Sequence, residues 1–286
     1  MRSGFVLSQA AISQGSSRNI CVRMRKAGKA AFVAAALLGA AMGGARPAHA
    51  DAGFTTGVDY TTGKYGAAEA TRVIYVPFTF KYEGQRHALR LTVPYIRISA
   101  PVGGDIIAIG PDGQPIRSST GLRETNDGLG DVVAAMGYTV FDAGASSGTL
   151  LDVTAKAKFA SADDVRGLGT GENDYSLQLD LYQTINRFTA LATAGYRVYG
   201  DTPDIELDDV FFGSLGGVFK LGPETSAGLI FDFRDNIVPR TDPQRDLTVF
   251  VMRKLGKGYK VQGYAARGLS DASPDWGAGL MFTVGF

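Results

Sequence analysis

The chain has 286 residues, of which 45% are hydrophobic, 10% aromatic and 20% charged, and its mean hydropathy is +0.01. This apolar share excludes a wholly disordered protein. A single cysteine excludes a disulfide scaffold, and the 38 glycines, which show no three-residue period, exclude a collagen-like fibre. The length is compatible with one or two folded domains.

Residues 1–50 have the features of a secretory signal peptide. Basic residues between 23 and 29 precede a short alanine-rich apolar stretch, and Ala48-His49-Ala50 offers small residues for cleavage. Met24 is an alternative start of this segment. An N-terminal membrane anchor is the alternative interpretation, but the stretch is shorter than the roughly 20 residues that a spanning helix needs. We therefore predict that residues 51–286 form a single exported domain.

Removal of that segment changes the charge balance. The segment holds seven of the 29 Lys and Arg residues and none of the 28 Asp and Glu residues, which leaves 22 basic and 28 acidic side chains. This acidic balance argues against a nucleic-acid partner. Cys21 and His49 also belong to the segment, so the predicted domain contains no cysteine and a single histidine, His87.

The dominant pattern after residue 51 is a period-two alternation of apolar and polar residues. In residues 151–159, Leu, Val, Ala and Phe alternate with Asp, Thr and Lys, and residues 175–182 repeat the pattern. A strand with one apolar and one charged face separates two different environments. The pattern and its turn residues predict twelve strands: 53–60, 71–82, 87–99, 131–141, 150–160, 174–183, 188–199, 209–219, 226–235, 246–254, 259–268 and 276–286.

Short and long connections between these strands alternate along the chain. Tight turns such as 83–85 and 184–187 are followed by longer connections such as 100–130 and 200–208. This layout is typical of an outer-membrane barrel with short periplasmic turns and longer extracellular loops. Because backbone groups in hydrocarbon must be paired internally, the sheet must close. We predict an all-β, antiparallel, up-and-down transmembrane barrel of about 12 strands in the outer membrane of a Gram-negative bacterium.

Aromatic residues near the predicted strand ends support this placement, because barrels carry an aromatic girdle at each membrane interface. The predicted periplasmic girdle consists of Tyr82, Phe141, Tyr182, Phe188, Phe219, Tyr259 and Phe286. The predicted outer girdle consists of Tyr60, Tyr95, Tyr175, Tyr199, Phe233 and Trp276. The final strand ends on Phe286, a feature that we expect the barrel-assembly machinery to recognise. The expected partners are therefore membrane lipid and that machinery.

A soluble β-sandwich or lipocalin-like barrel is the main alternative fold, because strand alternation alone does not distinguish the inside from the outside. The alternating connection lengths, the girdles and the terminal phenylalanine favour the membrane barrel. Pro77 and Pro94 fit either fold poorly, since each removes a hydrogen-bond donor within a predicted strand. They mark bulges or earlier strand ends.

Motifs for catalysis or metal binding have little support. A Ser–His pair needs a histidine that a third group orients, and no serine motif accompanies His87. An omptin-like protease would need a histidine beside the outer carboxylates. Without cysteine or clustered histidine we expect no transition-metal site and no cofactor, and the acidic loops match no dedicated calcium spacing. We therefore predict that the protein is not an enzyme.

Polar side chains of the strands define the predicted lumen. Their mixed signs indicate either ion pairs that fill the interior or a hydrated, selective path between opposite walls. Connection 100–130 carries isoleucines and either folds into the mouth as a constriction or plug, or continues as an extramembrane hairpin around residues 111–113. The lumen-facing candidates are Lys81, Arg90, Asp152, Lys156, Lys158, Gln178, Asp180, Arg197, Asp232 and Arg234. The constriction-loop candidates are Ile106, Ile107 and Ile109.

Three short segments carry a family resemblance: Gly128-Leu-Gly-Asp-Val-Val133, Gly169-Thr-Gly-Glu-Asn-Asp174 and the Ala-Gly-Tyr-Arg-Val-Tyr run at 194–199. They resemble an outer-membrane family named for the MetA pathway of phenol degradation. The resemblance implies a barrel that moves hydrophobic or aromatic compounds inward, and it transfers no catalytic or ligand residue. Passive, selective uptake of a small organic solute is therefore the leading hypothesis. The alternatives are a structural or adhesive barrel without an open pore and an outer-membrane hydrolase.

Overall fold

A computed structural model describes residues 51–101, 106–110, 114–117, 122–201 and 207–286. Residues 1–50, for which an export signal is predicted, lie outside the described residues. Within the described ranges no helix is long and apolar enough to cross a membrane.

Fifteen strands and one single-turn helix make up the secondary structure of the described residues. They are β1 (Asp51–Gly63), β2 (Thr71–Glu83), β3 (His87–Pro101), β4 (Ile106–Ile109), β5 (Pro115–Arg117), β6 (Arg123–Leu129), β7 (Val132–Asp142), α1 (Gly144–Ser147), β8 (Thr149–Phe159), β9 (Asp174–Ile185), β10 (Phe188–Val198), β11 (Val210–Lys220), β12 (Thr225–Arg234), β13 (Gln244–Gly256), β14 (Tyr259–Gly268) and β15 (Trp276–Gly285).

Thirteen of these strands form one antiparallel sheet that closes on itself. Successive strands pair in chain order, and β15 pairs back to β1 over residues 53–62. Beyond that ladder the backbone N–H of Phe286 donates to the carbonyl of Ala52 at 2.9 Å. Strands β6 and β7 both pair with β3 and occupy one position, so the barrel has 12 strand positions. The prediction of a closed, all-β barrel is confirmed.

The alternation along each strand separates an apolar exterior from a polar interior. On β9, Leu179 and Leu181 are 49% and 43% exposed, whereas Ser176 and Asp180 are 3% and 7% exposed. The large exposed apolar side chains of the other barrel strands follow the same outward parity. A soluble barrel would reverse this arrangement, because its exterior faces water. The exterior is that of a transmembrane barrel.

Short turns and long loops lie at opposite ends of the barrel. Five short connections, at 84–86, 143–148, 186–187, 221–224 and 257–258, define what we term the turn end. The longer connections, among them 64–70, 160–173 and 235–243, define the loop end. Asn186 adopts a left-handed backbone with a φ of 55° in one of the short turns, a conformation that asparagine tolerates better than most residues. The predicted alternation of connection lengths is therefore present.

Pro77 and Pro94 lie directly opposite each other within continuous strands, so neither ends its strand early. Proline lacks a backbone N–H, and each missing donor would point away from the pair, toward the strand on the far side. The β1–β2 ladder skips the residues opposite Pro77, and β6 gives way to β7 opposite Pro94. The N–H of Gly130 still donates to the carbonyl of Pro94 at 2.9 Å. The two prolines thus account for both interruptions.

Two details of the predicted layout are wrong. No barrel strand was predicted in the connection 100–130, but β6 lies within it and pairs with residues 95–101 of β3. This strand is mostly polar and therefore has no apolar alternation; Tyr95 Oη donates to Asp127 Oδ2 at 2.5 Å, and Arg123 Nη1 donates to the Ser99 carbonyl at 2.8 Å. The paired strand extends the barrel at its loop end.

The second wrong detail concerns the aromatic girdles. Tyr182 and Tyr199 were assigned to the interfaces, but Tyr182 lines an interior cavity and Tyr199 is only 1% exposed. Each lies two residues from a charged interior side chain, Asp180 or Arg197, and therefore shares its face of the strand. The other predicted girdle residues are exposed on the exterior, except Tyr60 and Tyr175, which are half-buried. The rings of Tyr60 and Trp276 contact each other with centroids 5.3 Å apart.

Candidate functional site in the barrel lumen

The strand register aligns four basic side chains in one row on the interior wall. Each member lies directly opposite the next on the neighbouring strand. The row crosses six adjacent strands through Lys81, Arg90, Ala135, Lys156, Ser176 and Arg197. We term its four cations the basic row. Cross-strand neighbours lie close enough to interact, so these charges act on the same strip of lumen.

A second row of the same kind is acidic. It crosses β8 to β13 through Asp152, Asp180, Thr193, Ser214, Asp232 and Asp246. We term its four carboxylates the acidic row. On β8 the two rows are separated by the single interior residue Thr154. The same spacing holds on β9, where Gln178 lies between the rows, and on β10, where Gly195 does. Beyond these strands the basic row continues onto β3 and β2, and the acidic row continues onto β12 and β13. In a barrel of 12 positions β12 lies opposite β3, so Asp232 and Arg90 lie on opposite walls of the barrel.

Two carboxylates of the acidic row accept hydrogen bonds from neighbouring side chains. The hydroxyl of Thr193 donates to Asp180 Oδ1 at 2.7 Å, and the Gln178 amide donates to both Asp180 oxygens at 2.8 Å. On β13, Gln244 Nε2 donates to Asp246 Oδ2 at 2.6 Å. Uncharged donors thus hold Asp180 and Asp246 in place, and in the part of the chain that the structure describes no direct ion pair cancels their charge.

Three cavities lie along these rows. The turn-side cavity, of about 520 Å³, is lined by residues such as Lys81, Arg90, Asp152 and Asp180. The middle cavity, of about 140 Å³, and the loop-side cavity, of about 310 Å³, both lie nearer the loop end, the first against β2 to β10 and the second against β10 to β15 and β1. Lys156 lines both the turn-side and the middle cavity, and Arg197 lines both the middle and the loop-side cavity. Two members of the basic row therefore stand at the boundaries between neighbouring chambers.

Arg197 is held by aromatic side chains. Its guanidinium carbon lies 5.6 Å from the ring centroids of both Tyr199 and Phe212, and its Nη1 donates to Tyr199 Oη at 3.1 Å. Stacking of a guanidinium on aromatic faces is favourable and fixes its plane. The cation between the two inner chambers is therefore positioned rather than free to swing.

Apolar side chains cover the loop end of the lumen. Strands β4 and β5 form a separate two-stranded hairpin, which we term the mouth hairpin. Ile106 and Ile109 are buried in one cluster with Tyr199, Leu207, Val210, Ile237 and Val238. Arg234 Nη2 donates to the Ile109 carbonyl at 2.9 Å. Since the hairpin leaves from β3 and Arg234 belongs to β12 on the opposite wall, the segment reaches across the mouth.

Two further clusters add to this cover. Ile116 and Ala108 of the mouth hairpin pack on Tyr65 of the β1–β2 loop, with Ile107 against them. Leu168 of the β8–β9 loop packs on Ile96 and on neighbouring interior residues of β2 and β3. The candidates Ile106, Ile107 and Ile109 thus lie at the loop end. Strands β4 and β5 pair on either side of residues 111–113, as in one of the two alternatives for this connection, and those three residues lie outside the described ranges.

Lys158 is an interior residue that anchors a loop. Its Nζ lies 3.0 Å from Asp131 Oδ2 and 3.1 Å from Asp174 Oδ2, and it donates to Thr170 Oγ1 at 2.9 Å. Asp131 Oδ1 also accepts the N–H groups of Ser161 and of residue 162 at 3.0 Å each. We term this group the ionic anchor. It holds the β8–β9 loop, and with it Leu168, over the mouth.

The segments that carry the family resemblance meet at these places. Asp131 comes from the first segment, and Thr170 and Asp174 come from the second, so both contribute to the ionic anchor. A Cβ on Gly169 would lie 2.7 Å from Asp131 Oδ2, which explains a glycine there. The third segment contributes Arg197 and Tyr199.

All ten lumen candidates lie on the interior face. Sequence reasoning missed Asp59 and Asp246, which also line the loop-side cavity. Both share the interior parity of their strands, so strict counting along β1 and β13 would have identified them. The two carboxylates of the ionic anchor, Asp131 and Asp174, lie at strand ends, where alternation gives no signal.

His87 lies at the turn end. Its ring makes an edge contact with Tyr138, with centroids 5.0 Å apart, and it borders the turn-side cavity. Among the described residues no group of three or more His, Cys, Asp or Glu side chains is arranged to hold a metal ion.

Comparison with known proteins finds similarity at the level of the fold. No protein-family model matches the chain, and no curated protein matches it. Among solved structures, the COG4313 outer membrane channel from Pseudomonas putida F1 is similar with a TM-score of 0.62 and 16% identity, covering 85% of this chain and 97% of that one. The NanC porin is similar with a TM-score of 0.52 and 8% identity, covering 82% and 98%. The class that the fold defines is therefore the outer-membrane β-barrel.

Proposed function

We propose that the protein is an outer-membrane channel of a Gram-negative bacterium that allows passive, selective passage of small organic solutes. The observation that carries this proposal is the chain of three cavities lined by two charged rows inside a barrel with an apolar exterior. Buried charges are retained at a cost in stability unless they are paired or hydrated. Most members of the rows lack a direct ion pair among the described residues, which favours a hydrated path.

The lining supports solutes that carry charged groups. Lys156 and Arg197 stand at the chamber boundaries, and the acidic row supplies charges of the opposite sign. Phe212 and Tyr264 line the loop-side cavity, so an aromatic solute of the kind that the family resemblance implies also finds apolar contact there. Two solved barrels of similar fold are described as a channel and a porin, and this agrees with the proposal.

The mouth hairpin acts in this proposal as the constriction of the channel. Its isoleucines bury apolar surface against the opposite wall, and its backbone is held by Arg234. An apolar constriction gates by excluding water. Solutes would therefore meet the narrowest point at the loop end and a wider, polar chamber at the turn end.

Assembly and processing complete the proposal. Residues 1–50 would direct export and be removed, and residues 51–286 would form the barrel domain. The exposed side chain of Phe286, on the strand that closes the barrel, would be recognised by the barrel-assembly machinery. His87 borders a chamber and contacts an aromatic ring, which supports a lining role and not a catalytic one. The protein would thus act without an enzymatic step.

Conductance in planar bilayers tests the proposal. Purified, folded barrel is expected to give discrete current steps in potassium chloride, and liposomes that contain it are expected to swell in small amino acids or sugars. The same protein unfolded by heat serves as the control. Folded barrel that gives neither current nor swelling would refute the channel and leave a structural or adhesive barrel.

A further inference from the structure

The loop-side cavity holds charges of both signs on separate sides. Its volume is about 310 Å³, at the lower end of the roughly 300–1,000 Å³ of small-molecule sites. Asp232 and Asp246 lie on one side, and Arg197 and Arg234 line it toward the mouth. Among the described residues no ion pair joins the two sets. The cavity is therefore a small chamber with two separated poles.

The acidic pole is a facing pair of carboxylates. Asp232 on β12 lies directly opposite Asp246 on β13. Like charges in directly opposed positions destabilise a sheet, and a cation between them would remove that repulsion. Gln244 donates to Oδ2 of Asp246, and the Ser273 side chain also lies beside this carboxylate, but its buried Oδ1 accepts no hydrogen bond of normal geometry. This orphaned acceptor points to a donor that a ligand supplies.

The two arginines of the basic pole are held in place by contacts with neighbouring residues. Arg197 is stacked on two rings, and Arg234 is tied to the mouth hairpin through its Nη2. The buried Nε of Arg234 has no hydrogen-bond partner. An arginine held in this way keeps donors for a carboxylate, which the guanidinium binds in a defined geometry. The acidic pole thus has an unused acceptor, Asp246 Oδ1, that suits an ammonium group, and the basic pole has an unused donor, Arg234 Nε, that suits a carboxylate.

We propose that the loop-side cavity is a binding subsite for a zwitterionic small molecule. Its ammonium group would lie between Asp232 and Asp246, and its carboxylate would face Arg197 and Arg234. An apolar or aromatic body would lie against Phe212 and Tyr264 on the cavity wall. This assignment rests on the proposed channel function and names the solute class that the channel would select.

Calorimetry on detergent-solubilised barrel tests the subsite without requiring transport. The probes are phenylalanine, which carries both charges, phenethylamine, which carries only the ammonium group, and 3-phenylpropionate, which carries only the carboxylate. Because a hydrogen bond to a charged group contributes about 1.5–3 kcal/mol, phenylalanine is expected to bind at least about tenfold more tightly than either analogue. Equal or weaker binding of phenylalanine would overturn the proposal.

Variants test which charged group of the ligand binds at the acidic pole. The double change Asp232→Asn with Asp246→Asn is expected to weaken phenylalanine and phenethylamine binding about tenfold or more while 3-phenylpropionate binding is unchanged. Glu224→Gln, in an exposed turn at the other end of the barrel, is the matched control and should change none of the three. Equal loss for all probes in the double variant would also overturn the assignment.

The two proposals fail separately. If the salt current is present and calorimetry gives no preference for phenylalanine, the subsite is wrong and the channel stands. If phenylalanine binds as expected and folded barrel carries no current, the cavity is a binding site and the channel function is wrong.

Discussion

The two ends of the lumen differ in the polarity of their interior side chains, although the same strands form both. At the turn end, interior positions carry charged side chains around the turn-side cavity. At the loop end, interior positions such as Ile96 and Val210 are apolar and are buried under the mouth hairpin and Leu168. Water is favoured around the charged cavities and excluded from these apolar clusters. The difference indicates that the loop end determines access and that the charged chambers determine which solute passes.

The largest expected effect is on conductance and comes from removing the mouth hairpin. Replacement of the mouth hairpin, residues 106–117, by a short Gly-Ser linker should raise single-channel conductance roughly twofold or more, because an apolar constriction is lost. Single-channel recording measures the change. Replacing α1 (Gly144–Ser147) in a turn by the same linker is the control and should leave conductance unchanged. A hairpin deletion with the parental conductance would contradict the constriction.

The next prediction compares the two faces of one strand. Leu179→Lys places a charge on the exterior near the middle of β9 and should reduce the free energy of unfolding by about 2–4 kcal/mol in lipid. Gln178→Lys places the same charge on the interior and should reduce it far less. Urea unfolding of both variants in vesicles measures the difference. Equal loss in the two variants would contradict the assigned exterior.

A smaller loss of stability is expected at the ionic anchor. Asp131→Asn removes one of the two carboxylates on Lys158 and should lower the free energy of unfolding by about 1–3 kcal/mol, since Lys158 keeps Asp174. Asp164→Asn, in the same loop but exposed, is the matched control. Urea unfolding again provides the measurement. If the two variants are equally stable, the anchor contributes nothing to holding the loop.

The smallest effect concerns ion preference. Lys156→Gln removes a cation from a chamber boundary and should shift the reversal potential under a potassium chloride gradient toward cation permeation, with little change in conductance. Charge on a narrow lining changes the local ion concentration more than the width of the path. Arg253→Gln, at an exposed position on the exterior face of β13 near its turn, should leave the potential unchanged. A shift of equal size in both would remove Lys156 from the path.

Much of the fold could be predicted from the sequence because a barrel strand repeats one local rule. Alternation identified the twelve strand positions and placed Lys156 and Asp180 on the interior face. The same rule applied strictly would have moved Tyr182 and Tyr199 inside. It could not locate β6, which is polar on both faces, or the ionic anchor, since both depend on contacts between distant segments.

The charged rows were beyond sequence reasoning for a similar physical reason. The sequence of one strand shows which face a residue lies on, but it does not show the register with the neighbouring strand. A shift of one position in that register changes every cross-strand partner. Only the register shows that Asp232 lies opposite Asp246 and that Arg90 and Lys156 belong to one row.

The central claim is that the ionic interior face lines the conducting path. The most direct test introduces single cysteines and adds a water-soluble thiol reagent during single-channel recording. The account predicts that the current through a Lys156→Cys channel falls in a discrete step on labelling, whereas a Leu179→Cys channel is unaffected. An unchanged current at Lys156→Cys, or a step at Leu179→Cys, would contradict it.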